Sequence, residues 1–249
     1  MTAADTVRTA RATGLAYLGL AITGMVGFLA IRPQLFTKSP TETLNNLADN
    51  PHLAAAAIGL EMGIVITQAL AAVWFYKLLR EIRPGAAFAT ATFGLMNAAA
   101  IMTSAMFNAT AVAVAGDPTI IRALDSAGVV GTLAYLSHAA WGMGAIFFGL
   151  WLIPMGWTAI TTRRFPVTLG WFLIAGGIGY VLSALVEWGV ADAPAWIAES
   201  LPLPATVGEL WMIGYLLTVG IRPTQAAHTE APAADPAQNQ ELATSGHQS

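Results

Sequence analysis

Glu61 and His138 are the residues best suited to chemistry, because an acid and an imidazole lie within apolar runs, 53–76 and 130–153, that are each long enough to cross a bilayer. Ionisable groups inside membrane spans usually face a bundle interior or a cavity. Counted along a helix, each lies about 12 Å from the same membrane face, close enough in level to share a proton as acid and base. Glu187, Glu209 and Asn108 fall nearer that face, and Asn97 lies near the midplane. Glu61 and His138 are thus the candidate catalytic pair. Together with Asn97, Asn108, Glu187 and Glu209 they form the candidate ligand-binding set.

Helical spacing supports inward placement. Asn97, Ser104 and Asn108 share one helix face, as do Glu61 and Gln68. His138 falls on a stripe of small residues, Gly131, Ala134, Gly142, Ala145 and Gly149, of the kind that lets helices approach closely. A structural reading competes with the functional one at every position. Glu61 can serve as a carboxyl that bonds one helix to another, His138 as a packing hydrogen bond, and Asn97 and Asn108 as helix glue. Glu187 and Glu209 are shallow enough to reach headgroup water by snorkelling.

Familiar catalytic and metal patterns do not occur. Glu61, His138 and Glu209 offer a carboxylate and imidazole set, but they come from three separate runs without a metal-binding spacing, so no metal or other cofactor is expected. There is no cysteine, which excludes disulfides, thiolate ligands and cysteine nucleophiles. Ser137 and His138 are sequence neighbours and point to different sides of a helix, so they do not suggest a hydrolase triad.

The elements that position these groups are membrane spans. The chain is 56% hydrophobic and 10% charged, with a mean hydropathy of +0.62, which leaves too little charge for a soluble surface. A net charge of -3, two lysines and no phosphate-binding loop exclude nucleic-acid and nucleotide binding. Runs 13–31, 53–76, 85–115, 130–153, 168–190 and 205–221 predict an all-α polytopic protein of six transmembrane helices. Residues 1–12 then form a cytoplasmic N-terminus, 13–221 the membrane domain, and 222–249 a disordered tail rich in Ala, Pro and Gln.

Eight basic residues, including Arg8, Arg11, Lys77, Arg80 and Arg164, gather on one side, against Arg32, Lys38 and Arg122 on the other. That asymmetry predicts a cell-membrane protein with both termini in the cytoplasm. Outer-side segments carry helix-start signals. Ser39, Pro40 and Glu42 predict a capping box, and Asp117 with Pro118 and Asp192 with Pro194 predict further short helices over the bundle.

A family resemblance follows from residues spread along most of the chain. His138, Phe147, Phe148, Gly149 and Leu150, then Arg164, Phe165, Pro166, Leu169 and Gly170, and then Gly177, Gly179 and Tyr180, make the main pattern. Arg11 and Gly14 in the first run, and Tyr76, Leu78 and Leu79 closing the second, extend it. The chain resembles the bacterial membrane family called domain of unknown function 4386. That resemblance implies a six-helix membrane domain and supplies no reaction, so no catalytic residue is carried over from it.

Three function classes stay open. The first is a pocket on the outer side of the membrane that binds a small or lipophilic ligand, with membrane lipids as the surroundings. The second is a membrane enzyme that uses Glu61 for acid and base chemistry on an isoprenoid or lipid. The third is a proton-coupled transporter, against which the polar-poor inner half counts.

Overall fold

Residues 2–122 and 124–222 are described by the computed structural model. The expected disordered tail, from 223 onward, lies outside the described residues. Helix α1 (Ala3–Gly24) begins at a complete capping box, in which Thr2 accepts from the Asp5 amide and Asp5 accepts from the Thr2 amide. The N-terminal segment expected to precede the first span is therefore helical almost from its start.

The first span does not end at Ile31. It runs on through a π-helical stretch (Met25–Ile31) into α2 (Arg32–Leu35). Pro33 explains the widening, because its ring excludes the carbonyl four residues back and it has no N–H to donate. The turn opens instead, and Arg32 bonds to the carbonyl of Gly27 five residues away.

The other helices are α3 (Pro40–Asp49), α4 (Pro51–Leu79), α5 (Pro84–Gly116), α6 (Ser126–Thr162), α7 (Val167–Gly189), α8 (Ala195–Ser200) and α9 (Leu203–Thr218). The expected box at α3 forms by half. Ser39 accepts from the Glu42 amide, but the Glu42 carboxylate takes the Thr37 hydroxyl in place of the Ser39 amide. Asp117 caps a single 3-10 turn, Pro118–Ile121, and Asp125 starts α6 by accepting from the amides of Ala127 and Gly128.

Among the described residues five helices, in place of the expected six, are long and apolar enough to cross a membrane. The sixth run does form a helix, but α9 has 16 residues, about 24 Å of rise against a hydrocarbon core of about 30 Å. Its end has a local cause. Gly220 adopts φ +80, the left-handed conformation that closes helices, and Ile221 folds back into the core.

The long helices close into a ring in which α1 packs on α4, α4 on α5, α5 on α6, α6 on α7, α7 on α9, and α9 back on α1. Leu15, Leu29, Phe88, Met106 and Trp171 point outward, whereas Glu61, Gln68, Asn97, Ser104, Asn108 and Ser137 are buried. That inside-out distribution marks an all-α polytopic membrane protein. Around Trp151, the rings of Tyr17, Phe75 and Phe148 pack with centroids 5.3 to 5.9 Å away, plugging the ring toward the end that carries Lys77 and Arg163. At the other end α3 lies across the bundle, with Pro40 pressed on Gly131 of α6 and Leu47 in a second small core with Leu35, Ala111 and Val130.

Bare backbone makes the α6 and α7 contact possible. A Cβ on Gly177 would stand 2.6 Å from the Gly149 carbonyl, and one on Gly170 would stand 2.7 Å from that of Gly156. These helices touch backbone to backbone at two successive levels. Gly177→Val is expected to lower the thermal unfolding midpoint of purified protein in detergent, with a loss of about 1–3 kcal/mol from overpacking. Gly85→Ala, where nothing lies within 4 Å, is expected to leave it unchanged.

Candidate functional site

Glu61 sits on the inner face of α4 and takes donors from one turn of α5. Ser104 donates to its Oε1 at 2.6 Å and Asn108 to its Oε2 at 2.8 Å. Because the single Ser104 proton is committed to Glu61, the 2.8 Å contact between Ser104 and Ser137 of α6 has Ser137 as donor. Ser137 in turn accepts from the Arg32 guanidinium at 3.2 Å. Arg32 also interacts electrostatically with Glu61 and lies over the rings of Phe28 and Phe36. One polar chain thus joins the first span to α6, α5 and α4. A void of about 20 Å³ bounded by Arg32, Glu61 and Asn108 adjoins it, with room for about one water. The Asn108 carbonyl oxygen there has no partner among the described residues.

His138 is not part of this chain. The structure corrects the expected pairing with Glu61, because successive residues on a helix point about 100° apart and here Ser137 takes the inner face. The His138 side chain is 53% exposed and pairs with Glu187 of α7, Nε2 to Oε1 at 3.1 Å. Its ring lies 5.8 Å from Trp188, against the side of the bundle, and lines neither interior void.

A cavity lies elsewhere, in the centre of the ring beyond the aromatic plug. It encloses about 310 Å³, a size that suits a small ligand, and its walls are mostly apolar. Glu209 of α9 lines it and accepts the Tyr17 hydroxyl at 2.6 Å through Oε1. The second oxygen of Glu209 and the Asn97 amide have no hydrogen-bond partner among the described residues. Gln68 lies in the inner wall, fully buried, with neither its amide nitrogen nor its amide oxygen bonded among the described residues. Tyr180, Phe148 and Trp141 complete the polar and aromatic end. Met25, Leu29 and Leu210 line the cavity while being more than half exposed, so its mouth opens through the ring wall between the π-helical stretch and α9.

Of the expected set, the structure therefore brings Glu61 together with Asn108, Asn97 together with Glu209, and His138 together with Glu187. It does not bring all six together. Among the described residues no group of three or more His, Asp and Glu could hold a metal ion, and Glu61, His138 and Glu209 have three different sets of partners. Sequence reasoning placed neither Tyr17, Tyr180, Arg32 nor an inward Ser137 in a site. The spacing of Arg32 four residues from both Phe28 and Phe36 is the one available signal, since it stacks a cation between two rings on one helix face.

The two donors on Glu61 yield a direct test. In Glu61→Gln, a flipped Asn108 can accept from the new amide through Oδ1 while Ser104 still donates to the remaining oxygen, so thermal stability in detergent is expected to stay near wild type. Glu61→Leu strands both donors in the bundle and is expected to cost about 1–3 kcal/mol. Equal loss in the two variants would show that charge, not hydrogen bonding, is what this site requires.

No curated protein and no solved structure matches the chain. A family model described as a domain of unknown function matches residues 12–220, which takes in the helical ring from the middle of α1 to Gly220 and with it the Glu61 chain and the central cavity. The protein belongs to the DUF4386 family.

Proposed function

We propose that this DUF4386 protein is a multi-pass cell-membrane protein, both termini cytoplasmic, that holds a small lipophilic ligand in the cavity between α1, α4, α5, α6, α7 and α9. The observation that carries this reading is the second oxygen of Glu209, which lines the cavity and accepts no hydrogen bond among the described residues. An unbonded polar oxygen away from water costs free energy, and a ligand that bonds to it recovers that cost. The apolar walls supply the remaining affinity, and the side mouth suits a molecule already dissolved in the bilayer.

Glu61 is a poor catalyst for this site, because both its oxygens are occupied and the space beside it holds about one water. Acid and base chemistry on the bound molecule is the second reading, and it moves to Glu209, whose free oxygen lines the cavity beside the Tyr17 hydroxyl.

Filling the cavity tests the binding reading. Wild-type protein purified from cells is expected to carry a lipophilic small molecule detectable by mass spectrometry, and Ala145→Trp, which puts an indole into the cavity wall, is expected to carry about tenfold less. Unchanged retention in a variant with a native unfolding profile defeats the proposal. Orientation has its own test, made simple by the absence of cysteine. Lys38→Cys is expected to react with a membrane-impermeant maleimide in intact cells, and Arg80→Cys only after permeabilisation; the reverse pattern inverts the topology.

A further inference from the structure

We infer that the central cavity selects lipophilic cations, amines or quaternary ammonium groups on a short apolar tail, that reach it from the bilayer between α1 and α9. This rests on the ligand-binding reading above and adds the charge of the ligand. Among the described residues the cavity is lined by one carboxylate, that of Glu209, and by no lysine, arginine or histidine. Its Oε1 is engaged by Tyr17, and Oε2 accepts nothing among the described residues. An anionic head group would face that carboxylate without a compensating cation in the wall, in a setting where desolvation makes like charges expensive. A hydrocarbon would leave Asn97 and the second oxygen of Glu209 without partners.

A cation answers each of these demands. It neutralises Glu209 in place of a proton, and the carbonyl oxygen of Asn97 gives its charge a further acceptor. Four aromatic side chains line the same space: Tyr17 from α1, Trp141 and Phe148 from α6, and Tyr180 from α7. Phe148 and Tyr180 meet edge to face at 5.0 Å, so their rings form a corner and not a flat wall. Rings around a carboxylate are the surroundings in which desolvated ammonium groups gain most from ring faces. Leaving water is the main cost for such an ion, and the apolar mouth at Met25, Leu29 and Leu210 spares it a second passage through water once it has partitioned into the membrane.

The test compares hexyltrimethylammonium with its uncharged carbon isostere, 2,2-dimethyloctane, on the full chain purified in a neutral detergent. Binding is measured with labelled cation and by competition with the isostere. Wild type is expected to bind the cation at least about tenfold more tightly than the isostere. Glu209→Gln is expected to abolish that preference and leave isostere binding unchanged, whereas Ala145→Trp is expected to abolish both. If the isostere competes as well as the cation on wild type, the charge selection is overturned and the cavity remains a binding site. If neither compound binds wild type and Ala145→Trp behaves identically, the ligand-binding reading falls as well. Should Glu209→Gln fail to assemble, the wild-type comparison with the isostere decides the matter alone.

Discussion

Hydrocarbon supplies no hydrogen bonds, so a carboxylate placed in a membrane bundle has to draw its donors from neighbouring helices. Glu61 draws two from a single turn of α5, and the Ser104 that gives one of them is itself held by Ser137 of α6, which is held by Arg32. Each member has its proton or lone pair committed by the next. The consequence is registration: α4, α5, α6 and the far end of the first span can slide past one another only by breaking the chain. Apolar packing alone sets no such register, because lipid tails are as hydrophobic as leucine and offer an equivalent surface. The polar chain thus fixes the end of the bundle on which α3 rests.

The opposite end is fixed by shape. At Gly149 with Gly177 and Gly156 with Gly170, α6 and α7 approach until only backbone separates them, and Trp151 fills the ring beside them with Tyr17 and Phe75 against its edges. A polar register at one end and close packing at the other leave the middle unfilled. There the side chains are too short to interdigitate: Gly24, Ala21 and Ala145 leave space, with Asn97 bordering it and Gln68 buried behind the wall. The cavity is what six helices leave when they are tied at both ends. The short α9 forms one flank of its mouth because it lacks the length to seal the wall.

The spans, the buried faces of α4 and α5 and the short capping elements were legible in the sequence, since each depends on local composition or a 3.6-residue repeat. Asn97, Ser104 and Asn108 share a buried face for that reason. What periodicity cannot supply is the rotation of one helix relative to its neighbours. A stripe of small residues suggested that His138 faced inward, yet the neighbouring Ser137 does so, and a rotation of about one residue changes Glu61's partner from an imidazole to a serine chain. Depth was similarly ambiguous. Glu209 is close to a helix end by count, but its helix leans on Tyr17 and Tyr180, which only the closed ring brings near. The π-helical widening also lay beyond composition, although Pro33 marked its place.

The two buried acids therefore differ in what their surroundings leave undone. Glu61 has both oxygens filled and little space beside it, so its carboxylate is spent on holding helices together. Glu209 has one oxygen filled and the other beside about 310 Å³ of space. A folded protein gains stability by satisfying its own polar groups, and the sites it leaves unsatisfied are those at which a second molecule can contribute. By that criterion Glu209, in the shortest helix of the ring, and not Glu61 is the acid that keeps an oxygen open to a second molecule. Gln68 and Asn97 reinforce the distinction, since they lie on the same helix faces as Glu61 and Asn108 but about two and three turns further in, where no described residue bonds to their side chains. The same two faces of α4 and α5 thus act as a tie at one level and as a cavity wall at another.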